Sequence, residues 1–450
     1  MTLPPAFAAG ALYDSLLQGA LRHFFSRATF ETEATPSVSS DGRLAIEPTG
    51  DPSKLCVRWF GSRHTLYVPE RRPFTPHETR LARAIGSVLA ARYRAIFDAR
   101  LMAARGDLFR GSIEDRYIGA FLDQTPYRIE ATESRADRLA TAIEVLRVAA
   151  LSSYENRPIS SGVLLVDADE DPAGGGRERP GQESLYAGGL TASKSFYRLC
   201  DGVRTVFLVS RAGAVLDIVE IDRWASRAVG DATLRVPCSP DYRAHARATL
   251  GNHHVCVVLS PSHEIKVFAE GAQMFAFRGA SWHLFDLEAK YAMWAEAVGN
   301  PALAERLFLT ALDLADAREG ALFVLLRNEA AAIGELIAHG DRLDEMEAGD
   351  QSSLRQDLRY LLRGRTATSL DPSVLQALAR IDGATVMDMD GRLIAIGAIL
   401  MHPSVPGGSG LAIEGARTTA AMTAGRFGPV LKVSEDGVIT FFDAGRHWDI

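Results

Sequence analysis

Cysteine is scarce in this chain: four residues in 450, at positions 56, 200, 238 and 256. They are widely scattered and form no Cys-x-x-Cys pair. That excludes a disulfide framework and a zinc knuckle, and fits thiols kept reduced in a cytoplasm. Long hydrophobic runs are missing as well. None approaches the roughly 18 residues that span a bilayer, and Met1-Thr2-Leu3-Pro4-Pro5 lacks the basic region and apolar core of a signal peptide. Positive charge is in deficit: 49 Lys and Arg stand against 56 Asp and Glu, a net charge of −7. This argues against a nucleic-acid-coating protein. The expectation is a soluble, cytoplasmic protein with neither a membrane nor a nucleic acid as partner. What remains is ordinary globular composition, 47% apolar and 23% charged, in a chain long enough for two or three cores.

Residues 1–108 read as a small α/β unit. A helix is expected over 11–25, then paired strands at Leu55–Phe60 and Thr65–Val68 turning at Gly61-Ser62. Thr75, Pro76 and Glu78 spell a capping box with proline at the first helical position. Leu81, Ile85, Val88, Leu89 and Ile96 follow on one face of a long helix. Strands feeding such a helix resemble the end of GAF-type small-molecule sensor domains; a packing or dimerisation helix is the alternative.

Residues 113–277 read as a second α/β segment. A helix over 136–150 leads to the apolar strand Gly162–Val166, and Val206–Val209 and Val215–Ile221 form a hairpin across Ala212-Gly213. Short strands at 254–259, 265–268 and 274–277 complete a mixed sheet. The glycine-rich stretch 167–181 contains Gly174-Gly175-Gly176 but no following Gly-Lys-Ser/Thr, so it reads as a mobile, solvated loop rather than a phosphate loop. His254 and Cys256 share a strand face next to His253, yet no second ligand pair lies near, and a structural role is preferred. Lys194, Arg198 and Arg204 read as a solvated face.

The last domain is placed at 279–450. Leu284, Leu287, Tyr291, Trp294 and Val298 form a helical stripe, and Leu303, Leu307, Ala311 and Leu314 form the next after Asn300-Pro301. The strand Gly320–Leu326 follows. Beyond it, Ile381–Asp388 returns as Leu393–Ala398 through Met389-Asp390-Gly391, and Val430–Val433 reverses at Asp436-Gly437. Strands alternating with helices and hairpins predict an α/β fold with a mixed sheet covered by helices. Asp390-Gly391 and Asp436-Gly437 need no role beyond their turns. Asp382-Gly383 differs, because it precedes its strand.

Three pieces, in this order, carry a resemblance: Asp382-Gly383-Ala384, then Gly415-Ala416-Arg417-Thr418-Thr419-Ala420-Ala421, then Val433-Ser434-Glu435-Asp436. They resemble the nucleotide-binding domain of the diadenylate cyclases, the type found in the DNA-integrity-scanning protein. There Asp-Gly-Ala is followed by Gly-Thr-Arg-His-Arg-Ala-Ala and then Val-Ser-Glu-Glu. The resemblance spans about the last third of the chain and includes the strand from Gly320. It implies condensation of two ATP into cyclic di-AMP with release of pyrophosphate, supported by Mg²⁺ or Mn²⁺.

By this resemblance Asp382 and Glu435 hold the metal, and Arg417 joins them in the catalytic set. Gly383, Ala384, Gly415, Thr418, Thr419 and Ser434 bind nucleotide. A carboxylate suits a hard cation, and a helix start at Arg417 favours phosphate. The chain departs from the family at Ala416, Thr418 and Thr419, where Thr, His and Arg are usual, and at Ile381, where His is frequent. The missing His and Arg remove up to two charge-assisted contacts, each worth about 1.5–3 kcal/mol. A nucleotide-binding sensor without turnover, or a nucleotidyltransferase with another product, are the alternatives. Two cyclase domains must face each other to close the cyclic product, which implies a homodimer or higher homo-oligomer. An unidentified signal at residues 1–277 completes the expectation.

Overall fold

A computed structural model describes residues 5–25, 28–34, 44–47, 49–67, 72–128, 137–154, 156–168, 185–188, 196, 199–251, 253–344, 360–401 and 416–449. The Gly174-Gly175-Gly176 loop, Lys194, Arg198 and Gly415 lie outside the described residues. The protein is a multidomain, mixed α/β fold. It divides into two compact units, 1–234 with 244–286, and 235–243 with 287–450.

The first unit holds two larger sheets. Strands β1 (Thr29–Ala34), β2 (Ala45–Glu47), β3 (Lys54–Trp59) and β4 (Ser62–Tyr67) form an antiparallel sheet in the order β1-β4-β3-β2. The capping box forms as the sequence dictates. Thr75 Oγ1 accepts from Glu78 N at 3.0 Å, and Glu78 Oε2 accepts from Thr75 N at 2.9 Å. It starts the helix Pro76–Phe97, which buries Leu81, Ile85, Val88 and Leu89 completely. Ile96 is 47% exposed: the apolar stripe outruns the core it serves.

A small hairpin, β5 (Ser153–Tyr154) and β6 (Arg157–Pro158), precedes the second sheet. That sheet comprises β7 (Ser161–Leu165), β8 (Thr205–Val209), β9 (Val215–Glu220), β10 (Val255–Leu259), β11 (Ile265–Ala269), β12 (Ala272–Arg278) and β13 (Ser281–Leu284). Its order is β13-β12-β11-β10-β7-β8-β9, with only β7 and β8 parallel. Buried Asp115 ties helices to sheet, accepting from Trp282 Nε1 at 2.8 Å and from two nitrogens of Arg147. All four cysteines are free and buried. His254 and Cys256 are buried too, and no group of three metal-ligating side chains forms among the described residues.

The second unit is built on one six-stranded sheet. Its strands are β14 (Ala321–Leu326), β15 (Ala384–Asp388), β16 (Leu393–Ala398), β17 (Val430–Val433), β18 (Ile439–Asp443) and β19 (Arg446–Asp449). The order is β16-β15-β14-β17-β18-β19; β14 and β15 run parallel, and every other pairing is antiparallel. Alternation along the strands sorts side chains to two faces. One face carries Leu322, Val324, Val386, Val430 and Phe442, packed with Ala421 and Ala424 of the helix Ala416–Ala424. On the other, Phe441 meets Trp294 edge-on at 5.7 Å. Trp294 belongs to the helix Leu287–Val298. Leu284, expected to start that helix, ends β13 instead.

The next helix, Pro301–Asp316, is capped by Asn300, which accepts from Leu303 N at 3.2 Å. It buries Leu303, Leu307, Phe308, Ala311 and Leu314. Burying the three leucines and Phe308 contributes roughly 1.5–3 kcal/mol apiece, and the Ala311 methyl less. No described helix is long and apolar enough to cross a membrane.

Candidate functional site

Sheet register brings the first and third motif pieces to one end of the six-stranded sheet, and the helix of the second reaches it through Arg417 and Thr418. Phe323 pairs with Thr385 in the parallel ladder, and Ala321 pairs with Val433 in the antiparallel one. Carried to the strand ends, these registers put Asp382 level with Gly320, and Gly320 level with Ser434. Strands lie about 4.8 Å apart, so the row from Asp382 to Ser434 spans roughly 10 Å, the scale of a triphosphate.

Asp382 is exposed, just before β15. Its carboxylate makes no hydrogen bond or ion pair among the described residues. Gly383 adopts φ +108°, a conformation side chains rarely tolerate. An added Cβ would lie 2.4 Å from the Gly397 carbonyl carbon on the neighbouring strand. The sheet itself therefore demands glycine here. Ala384, 1% exposed, belongs to the core cluster.

Arg417 stands in the first turn of the Ala416–Ala424 helix, where backbone N–H groups lack intrahelical partners. Its Nη1 lies 3.6 Å from Glu435 Oε1, an ion pair with the carboxylate side chain 75% exposed. Such a pair is worth little in water and yields readily to a phosphate. The guanidinium rests on Gly320, where an added Cβ would sit only 2.1 Å from Nη1. Gly320 thus makes the space that Arg417 fills. Thr418 is half-buried and Thr419 exposed; Ser434 follows β17, its N–H bonded to Val438 O at 2.9 Å. Arg318 donates to the Asp436 carbonyl, and Arg380 pairs with Glu319, bracing the segments around the row.

One residue escaped the reading of the sequence. Lys432, on β17, is only 9% exposed, and its Nζ lies 2.9 Å from Thr418 Oγ1. It shares a face with Val430, against the Ala416–Ala424 helix, so its ammonium reaches under that helix's first turn. The available signal was a lysine at an inward-facing position of an otherwise apolar strand, Val430-Leu431-Lys432-Val433. A buried lysine in such a place needs a polar partner. Here Thr418 is one.

Chemically, the row offers two carboxylates, one guanidinium, one buried ammonium, two threonine hydroxyls and a helix start. The guanidinium, ammonium, hydroxyls and helix start are groups that suit a polyanion. The Asp382 carboxylate is unengaged among the described residues, whereas that of Glu435 is paired with Arg417.

No family model and no curated protein matches the chain. Among solved structures, 36% of the chain is similar to 70% of a hypothetical membrane spanning protein from Bacillus cereus, at 20% identity and a TM-score of 0.26. A further 21%-identical likeness, TM-score 0.20, pairs 32% of this chain with 83% of DacA from Staphylococcus aureus, solved as a double mutant. At these scores neither likeness assigns a fold or a function.

Proposed function

We propose that the 287–450 unit binds ATP at the row Asp382–Gly320–Ser434 and joins two ATP molecules into cyclic di-AMP. The observation that carries this reading is a juxtaposition: strand register sets Asp382 and Ser434 on either side of Gly320, and the helix carrying Arg417 and Thr418 meets Glu435 and Lys432 there. In the reaction each 3′-hydroxyl oxygen bonds to the α-phosphorus of the other ATP. The bond from that phosphorus to the bridging oxygen breaks, the hydroxyl proton leaves to solvent, and two pyrophosphates depart. Arg417, Lys432 and the helix N–H groups hold and neutralise phosphate oxygens, which is most of what phosphoryl chemistry asks of a protein.

A magnesium or manganese ion would be held by Asp382, joined by Glu435, and supplies charge neutralisation on the triphosphate. Gly383 fixes the backbone next to Asp382, and Gly320 leaves the space that the Arg417 guanidinium fills. Two copies must face each other, because each site holds one ATP and the product contains two linkages. Incubation of the purified full chain with labelled ATP and Mn²⁺ or Mg²⁺, with products resolved by mass, tests the reading. Cyclic di-AMP, with specific activity rising with protein concentration, is expected. Absence of ATP binding by calorimetry overturns it.

A second reading, a nucleotide-binding sensor without turnover, has one observation in its favour. Thr418 and Thr419 are neutral, and the Arg417 guanidinium is partly satisfied by Glu435. Tight ATP binding with no product of any mass would select that reading.

A further inference from the structure

The helix Pro76–Phe97 borders a cavity of about 410 Å³ in the first unit. Arg83, Gly86, Ser87, Ala90 and Arg94 line it from the helix, at intervals of three and four that keep them on one face. Leu44 and Ile46, at the edge strand β2, form an apolar wall, and Arg128 enters from beyond the Thr125–Tyr127 turn. The volume falls within the roughly 300–1,000 Å³ of small-molecule sites. The residues on the helix floor are small. At Gly86 an added Cβ would lie 2.5 Å from Leu44 Cδ1, so glycine lets the Leu44 side chain lie flat along the wall.

Charge sets this cavity apart. Among the described residues three arginines line it and no carboxylate does. Some arginines of the same unit pair with carboxylates, Arg72 with Glu78 and Arg147 with Asp115 at 2.6 Å and Arg80 with Glu270 at 2.7 Å, whereas Arg83 and Arg128 are exposed to solvent. Among the described residues neither Arg83 nor Arg128 has an ion pair. Arg83 and Arg94 lie eleven residues apart, about 16 Å along the helix axis, with only small side chains between them. Arg94 lies back along the helix, its Nε donating to the Ala90 carbonyl at 3.2 Å. A guanidinium fork recognises carboxylate and phosphate oxygens in its plane.

We infer that this cavity binds an organic anion, a carboxylate or phosphate ester whose apolar body lies along Leu44, Ile46 and Ala90. The site is separate from the nucleotide row and does not rest on the reading of that row.

The probe is 8-anilinonaphthalene-1-sulfonate, an aryl anion whose fluorescence rises on binding, titrated into the full chain. One saturable site per chain is expected. The uncharged N-phenyl-1-naphthylamine should bind the same protein at least about tenfold more weakly, the scale of one lost charge-assisted contact. Arg83→Gln/Arg94→Gln/Arg128→Gln should weaken the sulfonate by a similar factor or more. Ser87→Trp, which keeps every charge but fills the gap, should abolish the site. Competition by octanoate and by phenyl phosphate tells a carboxylate ligand from a phosphate ester. Equal binding of the charged and neutral probes overturns the anionic class. Undiminished binding by Ser87→Trp overturns the location, and absence of saturable sulfonate binding overturns the site.

Discussion

The two ends of the six-stranded sheet differ in how they treat their charges. At the carboxyl ends of β14 and β15, Arg392 reaches Glu329 at 2.6 Å, Asp388 at 3.0 Å and Asp344 at 3.3 Å. Arg327 forks onto both oxygens of Asp443, at 2.7 and 2.9 Å. Gly428 closes the gap beside β14, with no room for a Cβ against the Leu325 carbonyl. The amino ends carry Asp382 without a partner among the described residues, and Glu435 in a loose pair. Open parallel sheets usually bind ligands at their carboxyl ends. In this mixed sheet those ends are spent on internal ion pairs, and the unspent groups lie at the opposite edge. Unspent charge, more than strand direction, locates the candidate site.

The contrast breaks most sharply at Asp382. Asp382→Asn should lower product formation about a hundredfold or more while leaving the unfolding midpoint unchanged, because a neutral amide holds a divalent cation poorly. Wild-type product yield, read by mass spectrometry, would remove Asp382 from the site. Lys432→Met comes next. Loss of one buried, charge-assisted contact should weaken ATP binding roughly tenfold, whereas stability should hold or rise, since a buried ammonium is costly. Calorimetry and urea unfolding measured together decide this. Lower stability with unchanged affinity would reduce Lys432 to a prop for Thr418.

Arg392→Gln probes the closed end. It should cost about 1 kcal/mol of stability, the upper range for a partly exposed pair and reasonable for a network, and leave ATP affinity untouched. A fall in affinity there would blur the distinction between the two edges. The smallest effect belongs to neither end. Burial pushes the Asp313 carboxyl up to about 6, against a hydrogen bond from Ser239, and neighbouring Asp316 and Asp241 raise it further. A carboxyl raised above its unfolded value near 3.8 favours the folded, protonated form. Its contribution is present below about pH 4 and lost as pH rises through 6. Urea midpoints at pH 4, 5, 6 and 7 should therefore fall less steeply for Asp313→Asn than for wild type.

Much of this fold was written locally. The Thr75 box, the helix after Asn300-Pro301, and the hairpins at Asp390-Gly391 and Asp436-Gly437 need only neighbours in sequence, and they stand as read. The motif residues could be named from their order, but not their meeting point, because that depends on β14 lying between β15 and β17. Lys432 was invisible for the same reason: its partner Thr418 is fourteen residues back, on a helix whose face only the sheet defines. Ile96 shows the converse, a stripe continuing past the core that selected it. The cavity beside Arg83 joins residues 44, 83 and 128, which no periodicity links.

The segment Arg235–Arg243 belongs to the second unit although first-unit chain flanks it on both sides. A ribosome makes it early. The first unit is complete once residue 286 has emerged, yet the second waits for its last strand. At about 5–20 residues per second, that wait lasts roughly ten to thirty seconds. Through it Val236, Cys238 and Tyr242, all buried in the finished protein, have no second-unit surface to join. The nascent chain thus carries a short apolar segment without the rest of its own unit until β19 has been made.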